Sequence, residues 1–357
     1  MSKKEGVIAA IILVGAAAAV AVKFCFFSDS SAVATGSDKT DSSASDKGYE
    51  YSMQLANVKS DCIPIYINYS NDQLDSGNLI LVNRDHEYKG SNLNMVSLTD
   101  TKTDSYTISQ EDMKLDSQMA QSINRMLDDF QTVTGYNDVI ANSGYRSVDT
   151  QRELYNEDIE MTGLTTSDSV APPGYSEHHT GLAMDFAVND GYCSALRDEG
   201  EYSWVYENAD KYGMFLRYTE ANKEVTKYKA ESWHFRYIGA PHATIVKKLG
   251  MPYEDYIDFL KEFSFESPFE YKYSDNEFYS IYYVPAQQDS STTKIPLSTR
   301  AVLSSDKDVY SISGNNVDGF IVTLKIDSLS ADYNEDLITM YSSMNMFGSE
   351  ISSADEQ

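Results

Sequence analysis

Five histidines occur in the 357 residues: His86, His178, His179, His234 and His242. Three of them fall in two short segments that also carry acids. The first is Ser176-Glu177-His178-His179-Thr180-Gly181-Leu182-Ala183-Met184-Asp185, and the second is Glu231-Ser232-Trp233-His234-Phe235-Arg236-Tyr237. A catalytic zinc takes three protein ligands and keeps one position open, and imidazole nitrogen with carboxylate oxygen suits it. His178, Asp185 and His234 supply such a set, enough for one Zn2+ per chain. A loop ending at His178 and a strand carrying Asp185 converge if Gly181, between them, makes a sharp turn. Glu231 stands three positions before His234, which in a regular strand would put the two on opposite faces. It is therefore expected in the turn that leads into a strand from Trp233. From there it reaches the attacking water as general base, then serves as acid toward the leaving amine.

Taken singly, each of these residues has a structural explanation as good as a chemical one. A lone buried histidine is commonly a packed one, and Asp185 alone reads as a strand-end partner in an ion pair. The combination carries the reading. His179, adjacent to His178 on an extended segment, points away from it, and His86 and His242 have no motif around them. Of the three cysteines, Cys25 ends an apolar N-terminal run, which leaves Cys62 and Cys193. A disulfide between these two is open, since separation in sequence says nothing about geometry. No CxxC or Cys-His cluster is present, so a metal site has to be built from histidines and carboxylates.

The elements that must position these groups read as follows. Met113, Leu115, Met119, Ile123, Met126, Leu127 and Phe130 recur at helical spacing, which predicts an amphipathic helix over about 111–134. Further helices are expected over about 148–158 and 194–212, the last ended by Gly213. Leu182–Val188, Met214–Tyr218 and Trp233–Ile238 read as strands. So do the alternating Ile63, Ile65 and Ile67, where Pro64 suggests an edge, and the run Leu79–Val82. After Phe265 the pattern changes to short β-like segments, Glu270–Tyr273, Phe278–Val284, Val309–Ser313 and Gly319–Ile326, separated by turn residues.

At the N-terminus Lys3 and Lys4 precede an uncharged apolar run from Gly6 to Val22, and Phe24–Phe27 extend it past Lys23. Such a run just crosses a bilayer, and the early lysines place the rest of the chain outside. The expected organisation is a cytoplasmic start at 1–5, a transmembrane signal-anchor at 6–27 and a disordered linker at 28–48. The linker is too poor in apolar residues to offset its ordering entropy. A cleaved signal peptide is the alternative, with Ala32-Val33-Ala34 as a small-residue site. Either way the destination is extracytoplasmic, with the membrane as a partner only through this segment. The formal charge of -27, from 28 basic and 55 acidic residues, excludes nucleic acid as a partner.

The two histidine segments, together with Ser143-Gly144-Tyr145-Arg146-Ser147 and Gln151 just beyond it, resemble the VanY-type D,D-carboxypeptidases of the LAS metallopeptidase group. That family's pattern is SxHxxGxAxD followed by ExxH with Trp before the His, preceded by SGYRS with a downstream Gln. Here it stands as SEHHTGLAMD, ESWH and SGYRSVDTQ. The resemblance covers about 79–259.

It implies an α+β fold, a small antiparallel sheet with flanking helices carrying the zinc site, over 49–265. A small β-rich C-terminal module at 266–342 and a polar tail at 343–357 would follow. The zinc ligands would be His178, Asp185 and His234, and the base Glu231. Arg146 would bind substrate and stabilise the oxyanion, with Gln151 and Ser176 near the substrate. The substrate would be a peptidoglycan stem peptide ending in D-Ala-D-Ala, from which the terminal D-Ala is removed. Relatives acting as L,D-carboxypeptidases, dipeptidases or endopeptidases share the same core, and a non-catalytic wall-binding protein is the rival from another class. One departure is Ser232, where the family commonly has Pro between the Glu and the Trp.

Overall fold

In the computed structural model, which describes residues 64–90, 94–331, 333 and 336–339, the longest helix is α1 (Ser117–Thr134). It starts later than the periodicity predicts. Asp116 accepts a hydrogen bond from the Gln118 amide at 2.8 Å and caps the helix. The residues before it form a short strand instead, so Met113 and Leu115 are buried but not helical. Gly135, in the left-handed region, ends the helix. Its inner face (Met119, Ile123, Met126, Leu127 and Phe130) is fully buried, each side chain contributing about 1.5–3 kcal/mol on removal from water.

The described chain holds fourteen strands. They are β1 (Pro64–Ser70), β2 (Met95–Ser97), β3 (Thr107–Ile108), β4 (Lys114–Asp116), β5 (Val139–Ser143), β6 (Ala183–Val188), β7 (Ser194–Ala195), β8 (Met214–Tyr218), β9 (Glu231–Tyr237), β10 (Phe269–Ser274), β11 (Glu277–Pro285), β12 (Thr292–Ser298), β13 (Tyr310–Gly314) and β14 (Gly319–Ile326). The central sheet runs β3-β5-β6-β9-β8, with β7 against the end of β6, and all its pairs are antiparallel except β3 with β5. Alternation sorts its two faces. Met184, Phe186 and Val188 of β6 join Phe235 and Tyr237 of β9 in the core that α1 covers. The residues between them, Asp185, His234 and Arg236, face the other way. The fold is the expected α+β class.

Two expected elements are corrected, one strand is added and one helix is lengthened. The helix read over 194–212 is broken: Ser194 and Ala195 pair with β6, and only Ser203–Asn208 is α-helical, flanked by 3-10 turns. Leu79–Val82 is buried but forms no strand. Its backbone groups are satisfied one by one: Leu79 N–H donates to Ser313 Oγ, Leu81 N–H to the Asn315 carbonyl, and the Ile80 carbonyl accepts from Arg236. β12, absent from the sequence reading, pairs along its whole length with β1, so β1 lies at an edge of a two-stranded ribbon. The helix after Arg146, α2 (Val148–Thr162), is capped by Ser147 and Gly163 and runs longer than expected.

The C-terminal sheet, β10-β11-β14-β13, is coated on both faces. Tyr271, Tyr279, Ile281 and Ile321 join a core with Leu79, Leu81, Phe215 and two helices, α3 (His242–Leu249) and α4 (Tyr253–Leu260). Tyr282, Phe320, Val322 and Leu324 join another, with Ile295 and Leu297 of β12 and the half-buried Ile67 and Tyr69 of β1. Residues on both sides of the boundary expected near 265 thus share these cores. Among the described residues no helix is long and apolar enough to cross a membrane. The expected anchor at 6–27, the linker at 28–48, the tail at 343–357 and Cys62 lie outside the described residues. Cys193 is free and exposed.

Two tests follow from this packing. His242 is buried between the Tyr256 hydroxyl (2.7 Å) and Thr323 Oγ1 (2.8 Å), tying α3 to α4 and β14. Burial pushes its pKa down to about 3, against about 6.5 in an unfolded chain. Below that unfolded value the unfolded state binds the extra proton, so stability falls as pH is lowered through the interval between the two. Melting temperature measured from pH 7 to pH 4 should drop more steeply for the wild type than for His242→Gln. The second concerns Gly181, at φ +70°, where an added Cβ would stand 2.5 Å from Met95 Cε and 3.0 Å from the Asp116 amide nitrogen. Gly181→Ala should cost at least the ~1–2 kcal/mol of a left-handed residue, read as a lower urea midpoint.

Candidate active site

The site is a row across three strands. Asp185 on β6 is paired directly with His234 on β9 on one side and with Ser143 on β5 on the other. Directly opposed residues on one face of a sheet bring their side chains together, and here Asp185 Oδ1 lies 2.9 Å from His234 Nδ1. His178 comes from outside the sheet. It belongs to a 3-10 turn, Glu177–Thr180, begun by Ser176, whose Oγ accepts from the His178 amide at 3.3 Å, and ended by Gly181. The turn brings His178 Nε2 to 3.3 Å from Asp185 Oδ2. The expected bend at Gly181 is present, and one ligand atom from each of His178, Asp185 and His234 lies within 4.8 Å of the others.

The protonation chemistry of the group fits a divalent cation of the zinc type. His178 Nδ1 lies 2.6 Å from the Gly144 carbonyl and donates its proton there, leaving the Nε2 lone pair toward Asp185. Burial and the nearby Arg146 charge push His178 down to about 4, so the ring is neutral. His234 is also buried, but its hydrogen bonds to Asp185 and Glu177 outweigh that and raise it to about 9. A ring with carboxylates at both nitrogens carries a cation at one of them, a proton or a metal ion. Burial opposes the charge on Asp185 too, yet the two histidines hold its carboxyl well below the ordinary range. Two imidazole nitrogens and a carboxylate oxygen, all buried, are a donor set of the kind zinc prefers.

Glu231 corrects the sequence reading in place but not in reach. It is the first residue of β9 rather than part of a preceding turn. Phe235 pairs with Leu216 and Glu231 with Tyr218, so four steps along β9 match two along β8. This bulge returns Glu231 to the side of His234, with Oε2 3.8 Å from Nδ1. Burial pushes the Glu231 carboxyl up to about 7. Ser232, at the bulge, uses a hydroxyl that a proline would lack: its Oγ donates to the Leu196 carbonyl at 2.7 Å, while its backbone carbonyl, which either residue offers, accepts from Tyr206 at 2.6 Å.

Arg146 reaches the same cluster. Its Nη2 donates to Asp185 Oδ2 at 2.6 Å, its Nε to Ser143 Oγ at 2.9 Å and its Nη1 to Gln151 Oε1 at 3.4 Å. The guanidinium is thus held on three sides and is the most exposed member of the group, at 20%. Gln151 is buried and anchors the following loop through Nε2 to the Ala171 carbonyl at 2.8 Å. His179 points away from the ligands, as expected, but is buried. Its Nδ1 donates to the Arg146 carbonyl at 2.8 Å and its Nε2 accepts from the Gly174 amide at 3.0 Å, fixing the backbone on which Arg146 stands.

Beneath the site lie buried charges that none of the motifs marks. Glu177 has a fully buried side chain, with Oε2 3.1 Å from His234 Nε2 and Oε1 2.9 Å from Arg217 Nε and 3.3 Å from Arg236 Nη1. Burial would raise its pKa, but the two arginines and His234 outweigh it and hold the carboxyl below its ordinary range. Arg217 continues to Glu254 on α4, with contacts of 2.5 and 3.0 Å. Arg236 donates through Nη2 to the carbonyls of Asn78 and Ile80 and through Nε to that of Tyr237. The signal was present: an arginine inside an apolar strand such as Met214–Tyr218 has to find an acid. Tyr218 packs its ring 4.9 Å from that of His234.

Comparison with known proteins agrees with this geometry. Residues 112–240 match the family model VanY, D-alanyl-D-alanine carboxypeptidase. A D-alanyl-D-alanine carboxypeptidase of Enterococcus faecium is 34% identical over 258 residues, covering 71% of this chain and 77% of the relative. The bifunctional D-Ala-D-Ala dipeptidase and carboxypeptidase VanXYC of Enterococcus gallinarum is 36% identical over 125 residues, 33% of this chain and 66% of that one. Among solved structures, the vancomycin-resistance D,D-dipeptidase VanXYg, in complex with a D-Ala-D-Ala phosphinate analogue, superposes with a TM-score of 0.63 at 28% identity. It covers 74% of this chain and 100% of its own. With a relative of this similarity matched over most of its length, the chain belongs to the VanY family of D-alanyl-D-alanine carboxypeptidases.

Proposed function

We propose that the protein is a zinc-dependent D-alanyl-D-alanine carboxypeptidase that removes the terminal D-Ala from peptidoglycan stem peptides. The observation that carries this reading is the convergence of His178, Asp185 and His234 with Glu231 beside them, 3.8 Å from His234. A zinc ion held by the three ligands supplies Lewis acidity, polarising the scissile carbonyl and lowering the pKa of water. The remaining work falls to the chain's own groups. Glu231 takes the proton of the attacking water and returns it to the nitrogen of the departing D-alanine. Its raised proton affinity, from burial, suits a group that must both accept and release a proton near neutral pH.

Arg146 offers a fixed guanidinium to the oxyanion and to the anionic end of the peptide. Gln151 acts on substrate through Arg146 and through the loop it holds at Ala171. Ser176, with its Oγ engaged by the His178 amide, shapes the turn next to substrate. The apolar segment at 6–27, behind Lys3 and Lys4, supports placing the catalytic part outside the cytoplasmic membrane, with that segment as anchor or cleaved signal.

The experiment is incubation of the purified protein, with its zinc content measured, with a stem pentapeptide ending in D-Ala-D-Ala. Mass analysis should show loss of one alanine, abolished by chelator and restored by zinc. Zinc binding without release of alanine would overturn the substrate assignment, and absence of both would overturn the enzyme. Glu231→Gln should retain zinc while kcat falls by about 10²–10⁴. His234→Ala should lose zinc and turnover together.

A further inference from the structure

We propose that Glu177 is a positioning residue for the metal centre, fixing the His234 ring through Nε2 so that Nδ1 is presented to the side of Asp185 and His178. The inference rests on the reading of the site given above. An imidazole can turn over about its side-chain axis, and turned it would offer carbon where Nδ1 now stands. It can also carry its single proton on either nitrogen. Glu177 Oε2, 3.1 Å from Nε2, settles both choices. A carboxylate only accepts, so the proton belongs on Nε2 and the Nδ1 lone pair is left for the metal side.

The carboxylate itself cannot swing away. Its other oxygen lies against Arg217 and Arg236, and its side chain is fully buried. Arg217 is gripped in turn by Glu254, and Arg236 by three backbone carbonyls. The companion ligand is fixed differently. His178 Nδ1 donates to a backbone carbonyl, that of Gly144, which no side-chain change removes. The brace on His234 is a side chain, one residue before His178 on the same 3-10 turn. A single turn therefore places one ligand and holds another.

The alternative is that Glu177 only neutralises two buried arginines. Glu177→Asp separates the two roles, because it keeps the charge and is one methylene too short to reach His234 while backing onto the arginines. Zinc affinity would be measured by competition with a chromophoric chelator, alongside kcat and KM at saturating zinc. A zinc Kd raised about 10–100-fold, with KM near the wild-type value, is expected. Unchanged zinc affinity with a lowered melting temperature would overturn the proposal in favour of charge neutralisation. Should this variant not fold, nitrogen NMR of histidine in the zinc-loaded wild type decides. A slowly exchanging proton on His234 Nε2 supports the brace, and a proton on Nδ1 overturns it. A wild type that binds no zinc would remove the metal reading itself, and this failure is distinct from a zinc-binding wild type indifferent to Glu177.

Discussion

One antiparallel register governs the site: Asp185 opposite His234. Side chains alternate along a strand, so a slip of a single residue would bring Met184 or Phe235 to this position and send the ligands into the α1 core. The register is guarded by what lies on the far face. Met184, Phe186, Val188, Phe235 and Tyr237 fit the buried face of α1 only when the chemical residues face the other way. The same row continues to Ser143, which accepts from Arg146, so three motifs distant in sequence are brought into line by strand pairing alone.

Beneath that row the protein buries charge on a scale that a fold built for stability alone would avoid. Arg217, Arg236 and Glu177 have no exposed side-chain surface, and desolvating each costs several kcal/mol before any pairing. The pairs are close, and of the three side chains only Arg236 Nη1, 3.3 Å from Glu177, lacks a formal hydrogen bond, so the cluster holds together, yet well-packed apolar residues would serve a core as well. What apolar residues could not do is keep an acceptor against one imidazole nitrogen. The bulge at Glu231 is a second local irregularity with a chemical result, since it gives two residues three apart the same face of one strand.

Much of this was legible in the residues. The histidines and acids stand in short segments whose types suit zinc, and reading Leu182–Val188 and Trp233–Ile238 as buried strands located both within two residues. Periodicity is a local signal, and it failed where the outcome was decided elsewhere. The start of α1 was set by one cap, Asp116, inside a run that looked helical throughout. Leu79–Val82 has the composition of a strand, but its neighbours offer side chains and turns rather than a partner strand. Glu177 looked like a spacer within its motif, because its partners lie 40 and 57 positions away. The pairing of β1 with β12 was invisible for the same reason.

That ribbon has a consequence for how the molecule comes into being. A chain emerging from its N-terminus makes β1 first, and Pro64 must wait for Ser298 before its edge is closed. The whole central sheet is synthesised in the interval, and Leu79 and Leu81 in turn wait for the Ile321 side of their core. Contacts so remote in sequence form slowly, and an open strand edge is sticky meanwhile. Every ligand of the site is therefore made before the last part of the wall that supports it, and a nascent chain carries its catalytic residues through a long period of incomplete enclosure.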